Sequence, residues 1–250
     1  MASVVRRNRE EIDLMRQAGR VVAGVLAAVE QELKPGVTTA RLDAIAEDYI
    51  RKAGARPSFK GYRGFPACIC VSIDSEVVHG IPGKRVIQEG QVVSIDAGAI
   101  WKGYHGDGAR TFYVGTPPAE VAGLLATTRL ALMAGIGAAV PGAHIGDVSG
   151  AIEDVALDGG CGIVRPYVGH GIGTQMHEDL QVPNYRTNDR GIELKPGICM
   201  AIEPMLTLGD ADVQTLSDGW TVTTRDGSLA AHFEHTIAVT ENGPEILTTI

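Results

Sequence analysis

The sequence predicts an α+β fold with an antiparallel sheet, built as one domain over residues 1–250. Three observations carry this. Helical runs come in pairs and strand-like runs in groups, which suits segregated layers rather than regular βαβ units. Pro-Gly turns punctuate both groups at similar places. The second half of the chain also echoes the first.

Residues 10–33 place Ile12, Met15, Val22, Leu26, Val29 and Leu33 three to four apart, the mark of a helix with one buried face. Lys34-Pro35-Gly36 stops it, and Thr38 or Thr39 caps a second helix bearing Leu42, Ile45, Tyr49 and Ile50. Strands are expected at about 67–73, 91–100 and 108–114, with "IWKG" turning between the last two. A long helix follows from about Pro118 to Ala139, with Val121, Leu124, Leu125, Leu132 and Ile136 on one face, and a shorter one at about 145–157. The last third returns to strands at about 197–206, 219–224 and 231–239.

The echo is local but ordered. "KPGVTTARLDAIAEDY" (34–49) aligns with "VPGAHIGDVSGAIEDV" (140–155), and "EGQVVSID" (89–96) with "PGICMAIE" (196–203). The common offset predicts two pseudo-twofold halves, at about 1–115 and 116–250.

Composition excludes some functions. The chain is 44% hydrophobic and 21% charged, ordinary for a globular protein, and its net charge of −8 argues against a nucleic-acid face. Arg6, Arg7 and Arg9 read as the solvated start of a helix. No apolar core follows the charges in "MASVVRRNREEIDLM", and no unbroken apolar run reaches about 18 residues, so neither a signal peptide nor a membrane span is expected. Cys68, Cys70, Cys161 and Cys199 fit no zinc or disulfide spacing and read as free thiols of a cytoplasmic protein.

The chemistry lies in acids placed where a sheet interior is expected. Asp96 ends the alternation "VVSID", and Asp107 opens the next run. With "IWKG" as the turn they oppose each other, at about 5 Å for cross-strand neighbours. Either the pair is solvated, or a shared proton, a basic neighbour or a metal offsets its repulsion. Glu203 in "MAIEPM" takes the place of Asp96 in the repeat, and Glu234 sits in "AAHFEHTIAV". His170 lies in "VGHGIG", where glycines permit close approach. Four carboxylates with one imidazole balance two divalent cations and suit manganese, iron, cobalt or zinc. The "GHGIG" run lacks the G-x-G-x-x-G spacing of a dinucleotide loop.

These motifs resemble the methionine aminopeptidases of the short bacterial type I class, in the pita-bread metallopeptidase family. The likeness rests on "SIDAGA", "YHGDGART", "GHGIG", "AIEPM" and "FEHT", with "FKGYRGFPACICVSI" and "VVHGIPG" beside them. It implies a single catalytic domain of pita-bread fold. It implies two divalent metal ions on Asp96, Asp107, His170, Glu203 and Glu234, with Asp107 and Glu234 bridging, and a monovalent cation as a further ligand. It implies that His79, His177 and Glu203 act in catalysis, and that Phe59, Tyr62, Phe65, Cys70, Met176 and Trp220 line a methionine slot. The implied substrate is the N-terminus of a nascent polypeptide starting with Met, cut near the ribosome by a monomer. The chain's own Met1-Ala2-Ser3 fits that preference, so self-processing is expected.

Two positions depart from the family pattern. Asp74 stands where asparagine is usual, adding charge near the expected ion contact, and Met176 stands where an aromatic is usual. Only 31 positions separate Glu203 from Glu234, too few for the inserted subdomain of the type II class. The rivals are a proline-specific aminopeptidase or dipeptidase of the same fold, a non-catalytic module of that fold, and a two-metal phosphoesterase. Histidines 105, 144, 232 and 235 receive no role.

Overall fold

The computed structural model describes residues 4–250; Met1-Ala2-Ser3, and with it the self-processing expectation, lies outside them. Four long helices form where the period predicts them. Helix α1 (Arg9–Glu32) starts at a reciprocal cap: Asn8 accepts from the Glu11 N–H at 3.0 Å, and Glu11 accepts from the Asn8 N–H at 2.9 Å. Helix α2 (Thr39–Lys52) is capped by Thr38, which accepts from the Arg41 N–H at 3.2 Å. Helices α3 (Ala119–Ala138) and α4 (Ile145–Asp158) pair in the same way later in the chain.

Each helix pair covers its own strands. Val22, Leu26, Leu42, Ile50, Ile69 and Ile95 share one core under α1 and α2. Leu132, Ile136, Ile152, Met200, Ile202 and Ile237 share another under α3 and α4. Helix α3 is long and apolar enough in composition to cross a membrane, but one side of it is packed into that second core.

A long hairpin dominates the first sheet. Val92–Trp101 pairs with Tyr104–Tyr113 through a two-residue turn, Lys102-Gly103, whose φ angles of 48° and 89° match the twist of the strands. The other edge of Val92–Trp101 pairs with Ile69–Ile73. The second large sheet runs Gly243–Ile246, His235–Thr240, Cys199–Ile202, Gly169–Gly171, Glu178–Val182.

Three expected strands are shorter than their apolar runs. The run 197–206 breaks into Cys199–Ile202 and Met205–Thr207, which lie in different sheets. Pro204, with no N–H to give a ladder, marks the change. The run 231–239 breaks into Ala230–His232 and His235–Thr240, again in different sheets. The run 219–224 contracts to Val222–Thr224, paired with Val213–Thr215 and Glu76–Val78.

The N-terminal arginines divide. Arg6 and Arg9 are exposed as expected, whereas Arg7 is buried and ion-paired with Glu178. The correction has a local cause: the Arg7 N–H donates to the Gly197 carbonyl at 2.7 Å, which turns its side chain inward beneath Gly173.

Candidate metal centre

Asp96 and Asp107 do not oppose each other. Because the turn is Lys102-Gly103 alone, Asp96 pairs with Ala109 and Asp107 pairs with Gly98. The acids are therefore diagonal neighbours on one face, a spacing of about 7–8 Å between backbones that side chains can close. Gly98, opposite Asp107, yields its space to Phe59: a Cβ there would lie 2.6 Å from the Phe59 ring.

The two sheets meet at Asp107. The Asp107 N–H donates to Thr236 Oγ1 at 2.9 Å, and the same hydroxyl donates to the Asp107 carbonyl at 2.8 Å. One step along, Ala109 and Glu234 exchange backbone hydrogen bonds at 3.3 and 3.0 Å. The next step repeats the hydroxyl device, with Thr111 Oγ1 accepting from the His232 N–H at 2.8 Å and donating to its carbonyl at 2.7 Å. This seam brings Asp107 from the first sheet beside Glu234 at a strand break of the second.

His170 and Glu203 arrive from the second sheet. Gly169 lets the His170 strand lie against Cys199–Ile202: a Cβ there would sit 2.4 Å from the Ala201 carbonyl oxygen. His170 Nδ1 lies 3.0 Å from the Gly171 carbonyl, which fixes the proton on Nδ1 and leaves the Nε2 lone pair free. That Nε2 lies 3.5 Å from Glu203 Oε1 and 3.9 Å from Asp107 Oδ2. Ligand atoms of Asp107, His170 and Glu234 all fall within 4.8 Å of one another.

The cluster is electrostatically incomplete. Burial pushes the Asp96 carboxyl up to about 7, against hydrogen bonds to Asp107 and Cys70 that favour its charge. Burial also raises Asp107, Glu203 and Glu234, and each is raised further by charge on other members of the cluster. Asp96 Oδ1 and Glu234 Oε1 are buried with no hydrogen-bond partner among the described residues. Buried carboxylates, two with an orphaned oxygen, gathered around an imidazole nitrogen with a free lone pair are the donor set a divalent cation takes, so the residues present fit one.

A cavity of about 460 Å³ opens over these groups. Its walls include Phe59, Tyr62, Phe65, Cys70, Met176 and Trp220, all in one apolar cluster. His79 and His177 also face it. His177 stacks on Tyr62 with ring centroids 5.4 Å apart, and its Nδ1 lies 2.9 Å from the Tyr62 hydroxyl. His79 has a φ of 62° and packs edge-on against Tyr167 and Trp220. Burial lowers both histidines, His79 to about 4. The structure thus brings every site residue expected from the sequence to one cavity.

Asp74 does not change that cavity's lining. Its carboxylate accepts from the Val92 N–H at 3.0 Å and Gln91 Nε2 at 3.3 Å, and lies 3.9 Å from Arg85, none of which lines the cavity. Two histidines passed over in the sequence do adjoin the site. His105 is buried with Nδ1 3.0 Å from Ser58 Oγ, and His232 is buried with Nε2 3.7 Å from Glu203 Oε2. Each stands two residues before an acid of the cluster, Asp107 or Glu234, and that strand period was the available signal.

Carboxylates and an imidazole converging beneath an apolar cavity define a cation-dependent hydrolase class. A model of metallopeptidase family M24 matches residues 13–241, and the chain belongs to that family. Within it, the sequence groups with methionine aminopeptidases. It is 52% identical over 246 residues to the methionine aminopeptidase of Clostridium acetobutylicum, covering 98% of each chain. It is 47% identical to methionine aminopeptidase 1 of Bacillus subtilis, over 99% of this chain and 100% of that one. A crystal structure of methionine aminopeptidase from Thermotoga maritima matches with a TM-score of 0.97 and 42% identity, over 99% of this chain and 100% of that one. Prolidase from Pyrococcus furiosus shares the fold at a TM-score of 0.80 and 22% identity, and only 66% of that chain is covered. The fold is the pita-bread α+β fold.

Proposed function

We propose that the protein removes methionine from the N-termini of polypeptides, preferring a small second residue. The observation that carries this reading is the cavity: four buried acids line it together with aromatic and sulfur-bearing side chains. An unbranched thioether suits such walls, since sulfur packs favourably against aromatic edges.

Asp96, Asp107, His170, Glu203 and Glu234 would hold two divalent cations. Cobalt, manganese, iron and zinc all suit these donors. Bound there, the cations supply Lewis acidity and bring the pKa of a water toward about 7. Glu203, raised by burial, is suited to take the water's proton and deliver it to the leaving amine. His177 Nδ1 lies 2.9 Å from the Tyr62 hydroxyl; with that hydroxyl as donor the ring's proton would sit on Nε2, the tautomer needed to donate to a developing oxyanion. His79, held neutral, faces the same cavity and contacts the peptide near the scissile nitrogen. The reading places a monomer in the cytoplasm, acting on nascent chains near the ribosome, with a monovalent cation as a further ligand.

Cobalt-loaded protein should cleave Met-Ala-Ser well ahead of Ala-Pro and Leu-Ala peptides. Equal or faster cleavage of Ala-Pro in a product assay overturns the methionine reading in favour of a proline-specific enzyme.

A further inference from the structure

His232 takes no part in the reaction proposed above, yet its ring is placed against it. Both of its backbone groups are held by Thr111 Oγ1. Met205 is its cross-strand partner. The residue is 2% exposed, and its Nε2 has no hydrogen-bond partner among the described residues. That atom points between two acids, 3.7 Å from Glu203 Oε2 and 4.0 Å from Glu234 Oε2.

The other oxygen of Glu203 faces a different imidazole, His170 Nε2, at 3.5 Å. The two rings have different work. His170 has committed Nδ1 to the Gly171 carbonyl, so its Nε2 offers a lone pair. His232 makes no such commitment at Nδ1, so it is free to carry its proton on Nε2, facing an acceptor. A carboxylate between a lone pair on one side and an N–H on the other has its two oxygens distinguished. Oε1 is turned toward His170 Nε2. Oε2 accepts from His232 and keeps a second lone pair for a proton.

We propose that His232 is a positioning residue: its Nε2–H donates to Glu203 Oε2 and fixes the rotation of that carboxylate. A small turn of the Glu203 side chain closes 3.7 Å to hydrogen-bond range. The proposal rests on the cation-dependent hydrolase reading. Losing an outer partner of this kind typically costs about 10–100-fold in metal affinity or activity.

The test compares His232→Leu, which removes the donor, with His232→Gln, which keeps an N–H. Co²⁺ binding is measured by calorimetry without peptide, and kcat and KM are measured separately on Met-Ala-Ser. The Leu variant should lose about 10–100-fold in Co²⁺ affinity and kcat with little change in KM, and the Gln variant should stay close to the parent. Parent-like affinity and kcat in the Leu variant overturn the proposal. So does an equal loss in both variants, which would make the ring itself a ligand or a packing element. Should the Leu variant fail to fold, the ¹H–¹⁵N long-range spectrum of the parent decides: a proton on His232 Nε2 supports the proposal and one on Nδ1 overturns it. If the parent binds Co²⁺ but does not cleave Met-Ala-Ser, the substrate reading fails while the Co²⁺ comparison still judges His232.

Discussion

Asp107 carries two kinds of interaction that a single substitution can separate. Its backbone is tied to Thr236, while its carboxylate stands in a buried acid cluster. Asp107→Asn keeps the backbone bonds and removes a charge that burial disfavours. The metal-free variant should therefore melt at or above the parent temperature, while calorimetric Co²⁺ affinity falls by at least about 10–100-fold, the cost of losing even an outer partner. Arg7 shows the opposite balance. It is buried in an ion pair with Glu178, which also accepts from the Thr174 N–H at 3.1 Å and directly follows His177. Arg7→Met leaves the half-buried Glu178 without its partner and should cost about 1–3 kcal/mol in urea unfolding, with reduced turnover as the His177 loop loosens. Residues of these two kinds differ in legibility. Asp96, Asp107, Glu203 and Glu234 stood out because a lone acid in an apolar run is conspicuous. Arg7 did not, because a terminal arginine among charges looks solvated until the Gly197 contact turns it inward.

The helices were legible because a period of 3.6 needs no partner to be seen; residues 10–33 predict what forms as Arg9–Glu32. The strand breaks were not. Alternation continues through Ile202, Glu203 and Met205, so a run-based reading joins two strands that belong to different sheets. The hairpin register was hidden for a similar reason: "IWKG" contains the turn, but only the positive φ values of Lys102 and Gly103 set which residues face each other. Those breaks are where the chemistry sits. A strand that changes sheets frees its neighbouring side chains from both ladders, and Glu203 and Glu234 occupy the two changes. The seam that aligns them depends on hydroxyls. Thr236→Val leaves the Asp107 N–H and carbonyl without partners in a buried place, at a cost of about 1–3 kcal/mol. Equilibrium unfolding should show that loss with an unchanged m-value. Co²⁺ affinity should fall with it, since the seam sets the distance from Asp107 to Glu234.

Across the whole molecule, the buried titratable groups form two opposed sets, and their balance makes stability depend on both pH and metal. Burial pushes His79, His105 and His235 down to about 4, and His170 and His232 to about 3. The unfolded chain, with histidines near about 6.5, binds more protons than the native one below that pH. This set therefore stabilises at neutral pH, and its contribution is lost as pH falls from about 6.5 toward 3. The acids act with the opposite sign. Asp96, raised to about 7, and Asp107, Glu203 and Glu234, all raised, keep protons that the unfolded chain has already released. Their contribution is present at low pH and is lost as pH rises above about 4, for Asp96 through about 7. Above about 6.5 the histidine set is exhausted and only the acids still change, so metal-free protein should melt lower at pH 8 than at pH 6.5. Cations reverse this, because they bind the ionised acids and release their protons. At a hundredfold excess over Kd a cation adds about 2.7 kcal/mol, or about 5–10 °C for a chain of this size. The Tm gain on adding Mn²⁺ at fixed concentration should therefore be larger at pH 7.5 than at pH 5.5, as read by scanning calorimetry. A gain that is equal at the two pH values, or larger at the lower one, would mean that the acids are already ionised without metal, and that their burial is balanced by something other than a cation.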